Sequence, residues 1–215
     1  MSLRLVVLIS GSGSNLQAIL DACGQSGGAA RINARVVGVL SNKADAFGLA
    51  RATRAGVVST VLDHTSYAGR EAFDQAMITA IDAWQPDVVV LAGFMRILSA
   101  GFVQHYQGRL LNIHPSLLPR HKGLHTHRRV LEAGDAEHGC SVHFVTPELD
   151  GGPVIAQTVT RVEADDTETT LSDRVHAGEH RLYPAVLGWL ADRRLQYRDE
   201  QPWLDGQQLT QPVRF

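Results

Sequence analysis

Two side chains suited to a reaction site stand two residues apart in Arg109-Leu-Leu-Asn-Ile-His-Pro-Ser-Leu-Leu-Pro-Arg120. The run is apolar until it turns polar at Asn112 and His114, and Pro115 cannot donate to a β-ladder, so a short buried strand is predicted to stop there. Side chains alternate across a strand, which places Asn112 and His114 on one face and Ile113 on the other. A neutral imidazole can move a proton, and an imidazolium or an amide N–H can stabilise a developing oxyanion. Neither group needs a metal. A carboxylate beside the imidazole would favour its charged form. Asp150 is one candidate among 22 acidic residues, and spacing alone does not select it. A histidine at a strand end can also be a satisfied structural residue, with the asparagine tying down a loop.

A second constellation is Gly11-Ser-Gly-Ser-Asn15, set between an apolar run and a helical pattern. Backbone N–H groups and a helix amino terminus there suit an anion. No Gly-Lys-Ser/Thr follows, so it is not a P-loop. Gly11 and Gly13 fit the dinucleotide fingerprint, but Leu16 stands where the third glycine belongs, and Ser41-Asn42-Lys43 offers no acid for a ribose. A phosphate monoester is favoured over NAD. A plain βα turn, with Ser14 or Asn15 capping the helix, explains the same residues and is compatible with phosphate binding. His121, His125 and His127 suggest a metal cluster by proximity but sit in a basic, loop-like segment without matching carboxylate or cysteine partners. Ser116 lacks the Gly-x-Ser-x-Gly setting of a hydrolase nucleophile. Met95-Arg-Ile-Leu98 either lines an apolar pocket or begins a packed helix.

The elements that must position these groups alternate. Strands are predicted over Leu3 to Ile9, Arg35 to Leu40, Val57 to Leu62, Asp87 to Ala92 and Leu110 to His114. Between them lie helical patterns from Leu16 to Leu20, Ala44 to Ala55 and Glu71 to Trp84, with a short stretch before Leu110. This alternation predicts an α/β protein with a doubly wound, mostly parallel sheet. Cys140 to Val145 and Pro153 to Val159, joined through Asp150-Gly-Gly, read as an antiparallel hairpin. Thr167 to Leu190 is the longest helical pattern, interrupted by Pro184, and Trp203-Leu-Asp-Gly206 predicts a small terminal turn. A single domain over 1–215 is expected.

A formal net charge of -2 gives no electrostatic case for nucleic acid or an anionic membrane as partner. Cys23 and Cys140 are too few for a disulfide framework. The apolar amino terminus breaks into Ser-Gly-Ser-Gly without a cleavage motif, and no run approaches the ~20 residues of a membrane span. A cytoplasmic protein is expected.

Four stretches together resemble the phosphoribosylglycinamide formyltransferase family: Gly11-Ser-Gly-Ser-Asn15, Ala92-Gly-Phe-Met-Arg-Ile-Leu98, Leu111-Asn-Ile-His-Pro-Ser-Leu-Leu-Pro119 and Glu148-Leu-Asp-Gly-Gly-Pro153. The resemblance spans nearly the whole chain, in the family's order. Asn-x-His-Pro-Ser-Leu-Leu-Pro with a downstream Asp-Gly-Gly-Pro marks folate-dependent formyl transferases and hydrolases, and the glycine loop with Ser41-Asn-Lys-Ala-Asp-Ala46 selects the purine-pathway member. It implies a Rossmann-like formyltransferase fold, and transfer of a formyl group from 10-formyltetrahydrofolate, as cosubstrate, to the amino group of glycinamide ribonucleotide. It implies Asn112, His114 and Asp150 as the catalytic set. Gly13, Ser14 and Asn15 would hold the substrate phosphate, and Glu179, within His176-Ala177-Gly178-Glu179, would meet the ribonucleotide's ribose. Met95, Arg96, Ile97 and Leu98, with Asn112 and Thr146-Pro147-Glu148-Leu149-Asp150, would form the folate pocket, and Arg70 would lie near the folate tail. On this reading residues 1–100 are a phosphate-binding half and 101–215 a catalytic and folate-binding half, in a monomer or homodimer without a metal. Lys122, where proline is common, and Ala177-Gly178, where a bulkier polar pair is common, depart from the family pattern.

Three other readings compete. A formyltetrahydrofolate hydrolase would use the same trio with water as acceptor, but usually carries an amino-terminal regulatory domain. A methionyl-tRNA formyltransferase needs a carboxy-terminal RNA-binding domain. A non-catalytic phosphate or folate binder would keep the glycine loop but give no reason for Asn112, His114 and Asp150 together.

Overall fold

Leu3–Ile9 form strand β1, the middle of the molecule in the computed structural model, which describes residues 1–215. Its run from Leu5 to Ile9 is fully buried because both faces are covered. Leu5, Val7 and Ile9 enter a core of 29 residues, while Val6 and Leu8 enter a second of 12. An apolar strand with no polar face is what a doubly covered parallel sheet requires.

The chain continues through α1 (Ser14–Ala22), β2 (Ala34–Ser41), α2 (Gly48–Arg54), β3 (Ser59–Val61), α3 (Arg70–Asp82), β4 (Val88–Leu91), α4 (Ala100–His105) and β5 (Leu110–His114). After β5 come α5 (Thr126–Ala133), β6 (Glu137–Phe144), β7 (Val154–Arg161) and α6 (Glu168–Ala191). The carboxy-terminal stretch holds β8 (Leu195–Arg198), β9 (Gln201–Leu204), β10 (Gln207–Gln208) and β11 (Val213–Arg214). The main sheet has eight strands in the order β11-β7-β6-β5-β4-β1-β2-β3. Pairing is parallel from β3 across to β5, antiparallel for β5–β6 and β6–β7, and parallel again where β11 covers the β7 edge. The winding reverses between β1 and β4, and ligands of such sheets bind outside the strand carboxyl ends at that point. The glycine loop follows β1, the Met95–Leu98 segment follows β4, and Asn112 and His114 end β5.

Helix α6 carries the larger core. Val175, Leu182, Tyr183, Val186 and Leu187 are fully buried along it. It runs unbroken through Pro184, against the sequence expectation of an interruption. Pro184 removes one N–H and so frees the His180 carbonyl, but Pro184 and its neighbours are buried, and that packing holds the helix together. Two other expectations are revised. The segment around His125 and His127 is helical, as α5. Helix α2 begins at Gly48, because the Gly48 N–H is drawn to the Gly11 carbonyl at 3.0 Å. The terminal turn expected at Trp203 to Gly206 is present at Asp205-Gly206, within a three-stranded sheet, β10-β9-β8, and has positive φ at both residues (51° and 81°). That is the conformation of a two-residue type I′ hairpin turn. No helix is long and apolar enough to cross a membrane.

Candidate active site

Alternation along β5 sends Leu111 and Ile113 into the larger core and Leu110 into the smaller one. Asn112 and His114 therefore share the face of Leu110, at the end of the strand where the apolar cover stops. His114 is buried, and its Nδ1 lies 3.5 Å from Asp150 Oδ2. Its Nε2 is 3.0 Å from the His121 carbonyl oxygen, which only accepts, so Nε2 carries a proton. Nδ1 is thereby the atom turned to the carboxylate. Asp150 is fixed in turn by the Gly123 N–H, which donates to Oδ2 at 2.8 Å. Its backbone is left-handed, φ 48°, in the turn between β6 and β7. The turn can be this tight because Gly152 lies against the Phe144 carbonyl, where a Cβ would come within 1.8 Å of the oxygen.

The antiparallel register of β5 and β6 sets His143 directly opposite Asn112. His143 Nδ1 donates to the Phe144 carbonyl at 2.9 Å, so a neutral ring leaves Nε2 as an acceptor for the Asn112 amide at 3.2 Å. Burial pushes the His143 pKa down to about 4, which keeps the ring neutral and this arrangement intact. The network assigns the Asn112 amide orientation: NH2 toward His143 and the carbonyl away. His143 Nε2 is also 4.0 Å from Asp150 Oδ1. The sequence reading missed His143. Alternation of Ser141 and His143 on one face of a predicted strand was the available signal, but the register that pairs it with Asn112 was not.

The loop after His114 is clamped from beneath. Ser141 Oγ donates to the Ser116 carbonyl at 2.6 Å and accepts from the Leu118 N–H at 3.0 Å, and Gln157 Nε2 reaches the Leu118 carbonyl at 2.9 Å. Ser116 is fully buried and donates to the Arg120 carbonyl, which makes it a brace of the loop. His121 does find a carboxylate, Asp135, at 2.6 Å, contrary to the expectation of none nearby. His127 pairs with His138 at 2.9 Å. No group of three His, Cys, Asp or Glu side chains is arranged to hold a metal ion.

At the end of β1, Gly13 is left-handed (φ 68°) and so close to α2 that a Cβ would stand 2.6 Å from Gly48 Cα. Gly13 occupies the N-cap of α1 and no side chain caps the helix, so neither Ser14 nor Asn15 does. The first N–H of this turn to find a backbone carbonyl is that of Gln17, bonded to Gly13 at 2.9 Å, which leaves the preceding amides directed at the helix entrance. Asn15 instead donates its amide to Glu179 Oε2 at 2.7 Å, joining residues 164 positions apart. Burial raises the Glu179 pKa, and the Asn15 amide offsets part of that rise. His176 is exposed on α6, with its ring 6.3 Å from that of His127. Gly178 faces β7, where a Cβ would be 2.9 Å from Thr158 Cγ2, so it serves the close packing of α6; Ala177 is exposed.

Met95 and Ile97 are 67% and 59% exposed, and Leu149 and Leu124, beside Asp150 and Gly123, are 54% and 69% exposed. Large apolar side chains left open around a polar centre make a surface for an apolar ligand. Arg70 begins α3 one turn before Asp74, which accepts the Ser99 N–H, so it lies on the helix that adjoins this surface. Glu148 pairs with Lys122 at 2.7 Å, which ties the Thr146–Leu149 segment to the loop after His114.

The formyl transferase family model matches residues 3–187. Over 207 residues the chain is 58% identical to phosphoribosylglycinamide formyltransferase of Escherichia coli (strain K12), covering 96% of each. It is 46% identical over 193 residues to the human trifunctional purine biosynthetic protein adenosine-3, covering 90% of this chain and 19% of that one. Among solved structures, the phosphoribosylglycinamide formyltransferase of Coxiella burnetii, in complex with CHES, superimposes with a TM-score of 0.94 at 46% identity over 100% of both chains.

Proposed function

Since the chain belongs to the formyl transferase family, we propose that it moves a formyl group from 10-formyltetrahydrofolate to the amino group of glycinamide ribonucleotide. The products are formylglycinamide ribonucleotide and tetrahydrofolate, in purine biosynthesis. The observation that carries the assignment of roles is the convergence of Asn112, His114 and Asp150 at the end of β5.

The ribonucleotide amine attacks the formyl carbon while both substrates are held side by side, which removes much of the entropic barrier. A C–N bond forms and the carbonyl oxygen becomes an oxyanion. The Asn112 amide donates to that oxygen, and His114 does so with its Nε2–H, which the oxyanion takes from the His121 carbonyl, in a site where burial strengthens each bond. Asp150, whose contact with Nδ1 orients the imidazole, helps pass the amine proton to the folate nitrogen as its bond to carbon breaks. His143 holds the Asn112 amide for this task as a neutral acceptor. The free amides around Gly13, Ser14 and Asn15 take the phosphate dianion at the amino terminus of α1. Glu179, held beside the phosphate loop by the Asn15 amide, meets the ribose, with His176 and Ala177 exposed next to it on α6 while Gly178 packs on β7. The folate pocket is formed by Met95 to Leu98 and Thr146 to Asp150, with Arg70 toward the tail carboxylates. Residues 1–100 thus supply the phosphate loop and one wall of the folate pocket, and 101–215 the reacting groups, in a cytoplasmic enzyme whose chemistry these side chains complete without a metal.

Incubation with 10-formyltetrahydrofolate, with and without glycinamide ribonucleotide, tests this reading. Tetrahydrofolate is expected only when the ribonucleotide is present. Equal turnover without it would make the protein a hydrolase, and no turnover in either case would make it a binder.

A further inference from the structure

The segment between β4 and α4 is staked at both ends by buried side chains from other parts of the fold. At its start the Met95 N–H donates to Ser10 Oγ at 2.8 Å, and Ser10 spends its own proton on Asn42 Oδ1 at 2.6 Å. Ser10 and Asn42 are 6% and 2% exposed. They are neighbours by register, each following a residue of the Ile9–Ser41 pair, and β4 lies on the other side of β1. The relay therefore crosses the carboxyl ends of β2, β1 and β4, at the point where the winding of the sheet reverses. At the far end, Asp74 of α3, 2% exposed, accepts the Ser99 N–H at 2.6 Å. Between the two stakes the side chains of Met95, Arg96 and Ile97 are open to solvent.

We propose that Ser10 and Asp74 are positioning residues for the folate cosubstrate: neither meets a substrate atom, and together they fix the Met95–Leu98 backbone in the conformation that receives it. This rests on the folate pocket proposed above. A two-ended stake fits a segment that has to present backbone groups to a planar ligand, because such groups discriminate only when the chain between them is held still. The phosphate loop adjoins Ser10 but does not depend on this relay. It has its own braces: the Gly48 N–H on the Gly11 carbonyl at 3.0 Å, Arg51 Nε on the Ser12 carbonyl at 2.9 Å, and the Gly13–Gly48 backbone contact. Loss of the relay is therefore felt by one substrate and not by the other.

Steady-state kinetics on Ser10→Ala, Asp74→Ala and Asp74→Asn test the proposal. Ser10→Ala and Asp74→Ala should raise the KM for 10-formyltetrahydrofolate about tenfold, equal to about 1.4 kcal/mol, while the KM for the ribonucleotide moves less than about twofold and kcat falls less than about threefold. Asp74→Asn keeps an oxygen for the Ser99 N–H and should recover most of the folate KM, a rescue that loss of packing alone would not produce. Should Asp74→Ala be too unstable to assay, Asn42→Ala strips Ser10 of its acceptor and should give the same one-sided rise. A joint rise of both KM values, an unmoved folate KM, or an Asp74→Asn variant as poor as Asp74→Ala would overturn the staking role. Wild-type protein that transfers no formyl group would instead overturn the activity on which the proposal rests.

Discussion

At His114 the partners divide the labour. The His121 carbonyl fixes one nitrogen as a donor, and Asp150 faces the other. Replacing Asn112 by Ala removes an oxyanion donor and should lower kcat by roughly a hundred- to a thousandfold, a larger change than that in the folate KM. Glu179 supports a prediction of the opposite kind. Its carboxyl is buried with the Asn15 amide as its hydrogen-bond partner, and burial raises its pKa. The unfolded chain ionises this group near 4.5 and the folded one at higher pH, so stability falls as pH rises through that interval and stays reduced at neutrality. Glu179→Gln should therefore raise the thermal midpoint at pH 7 while weakening ribonucleotide binding, which calorimetry and the ribonucleotide KM would report. At this scale the sequence was uneven. Alternation along β5 was enough to pair Asn112 with His114, whereas Asp150 was named by the family pattern. His143 went unseen, because only the β5–β6 register places it opposite Asn112.

The strand–glycine–helix unit at β1 was legible because its apolar run and its glycines are local signals. Its contact with α2 was not, since nothing near residue 13 announces Gly48. That contact makes Gly13→Ala a direct test of the loop. A left-handed alanine costs about 1–2 kcal/mol in strain before the clash with Gly48 is counted. Denaturant midpoints should drop accordingly, and the ribonucleotide KM should rise more than the folate KM. Helix α6 shows where local rules are overridden. Pro184 marks a break by every propensity argument, yet the buried face from Val175 to Leu187 carries the helix through it. Tyr183 on that face donates its hydroxyl between the Leu91 and Leu111 carbonyls, at 3.1 and 3.0 Å, and pins α6 beneath the strands that bear the site. Tyr183→Phe should cost about 1–2 kcal/mol of stability, measured by chemical denaturation, because the carbonyls are left with fewer partners. Helix α5 escaped the sequence reading for a different reason. Its polar, histidine-rich start has little apolar periodicity, and only Thr126 and Val130 of it are buried.

The whole molecule is a sheet whose reversal between β1 and β4 gathers three loops at one edge, and the alternation of strands and helices made that architecture readable. The antiparallel β6–β7 hairpin was readable as well, from two strand-like runs joined through Asp150-Gly-Gly; its pairing alongside β5, which brings His143 and Asp150 to the site, was not. The same extension buries imidazoles. Burial pushes His138 and His143 down to about 4 from 6.5. Between those values the unfolded chain binds more protons than the folded one, so stability should fall as pH drops from about 6.5 to about 4 and level off below. Urea midpoints at pH 7 and pH 5 would show the loss, and His138→Gln should reduce its slope. Formyl transfer by three side chains at one site is put to the test by single-turnover formylation. Enzyme in excess over 10-formyltetrahydrofolate, with saturating glycinamide ribonucleotide, should give formylglycinamide ribonucleotide at a rate that Asp150→Asn lowers by about a hundredfold or more while the variant stays folded and binds both substrates. A folded Asp150→Asn protein that transfers the formyl group at the wild-type rate would show that this carboxylate takes no part in the transfer.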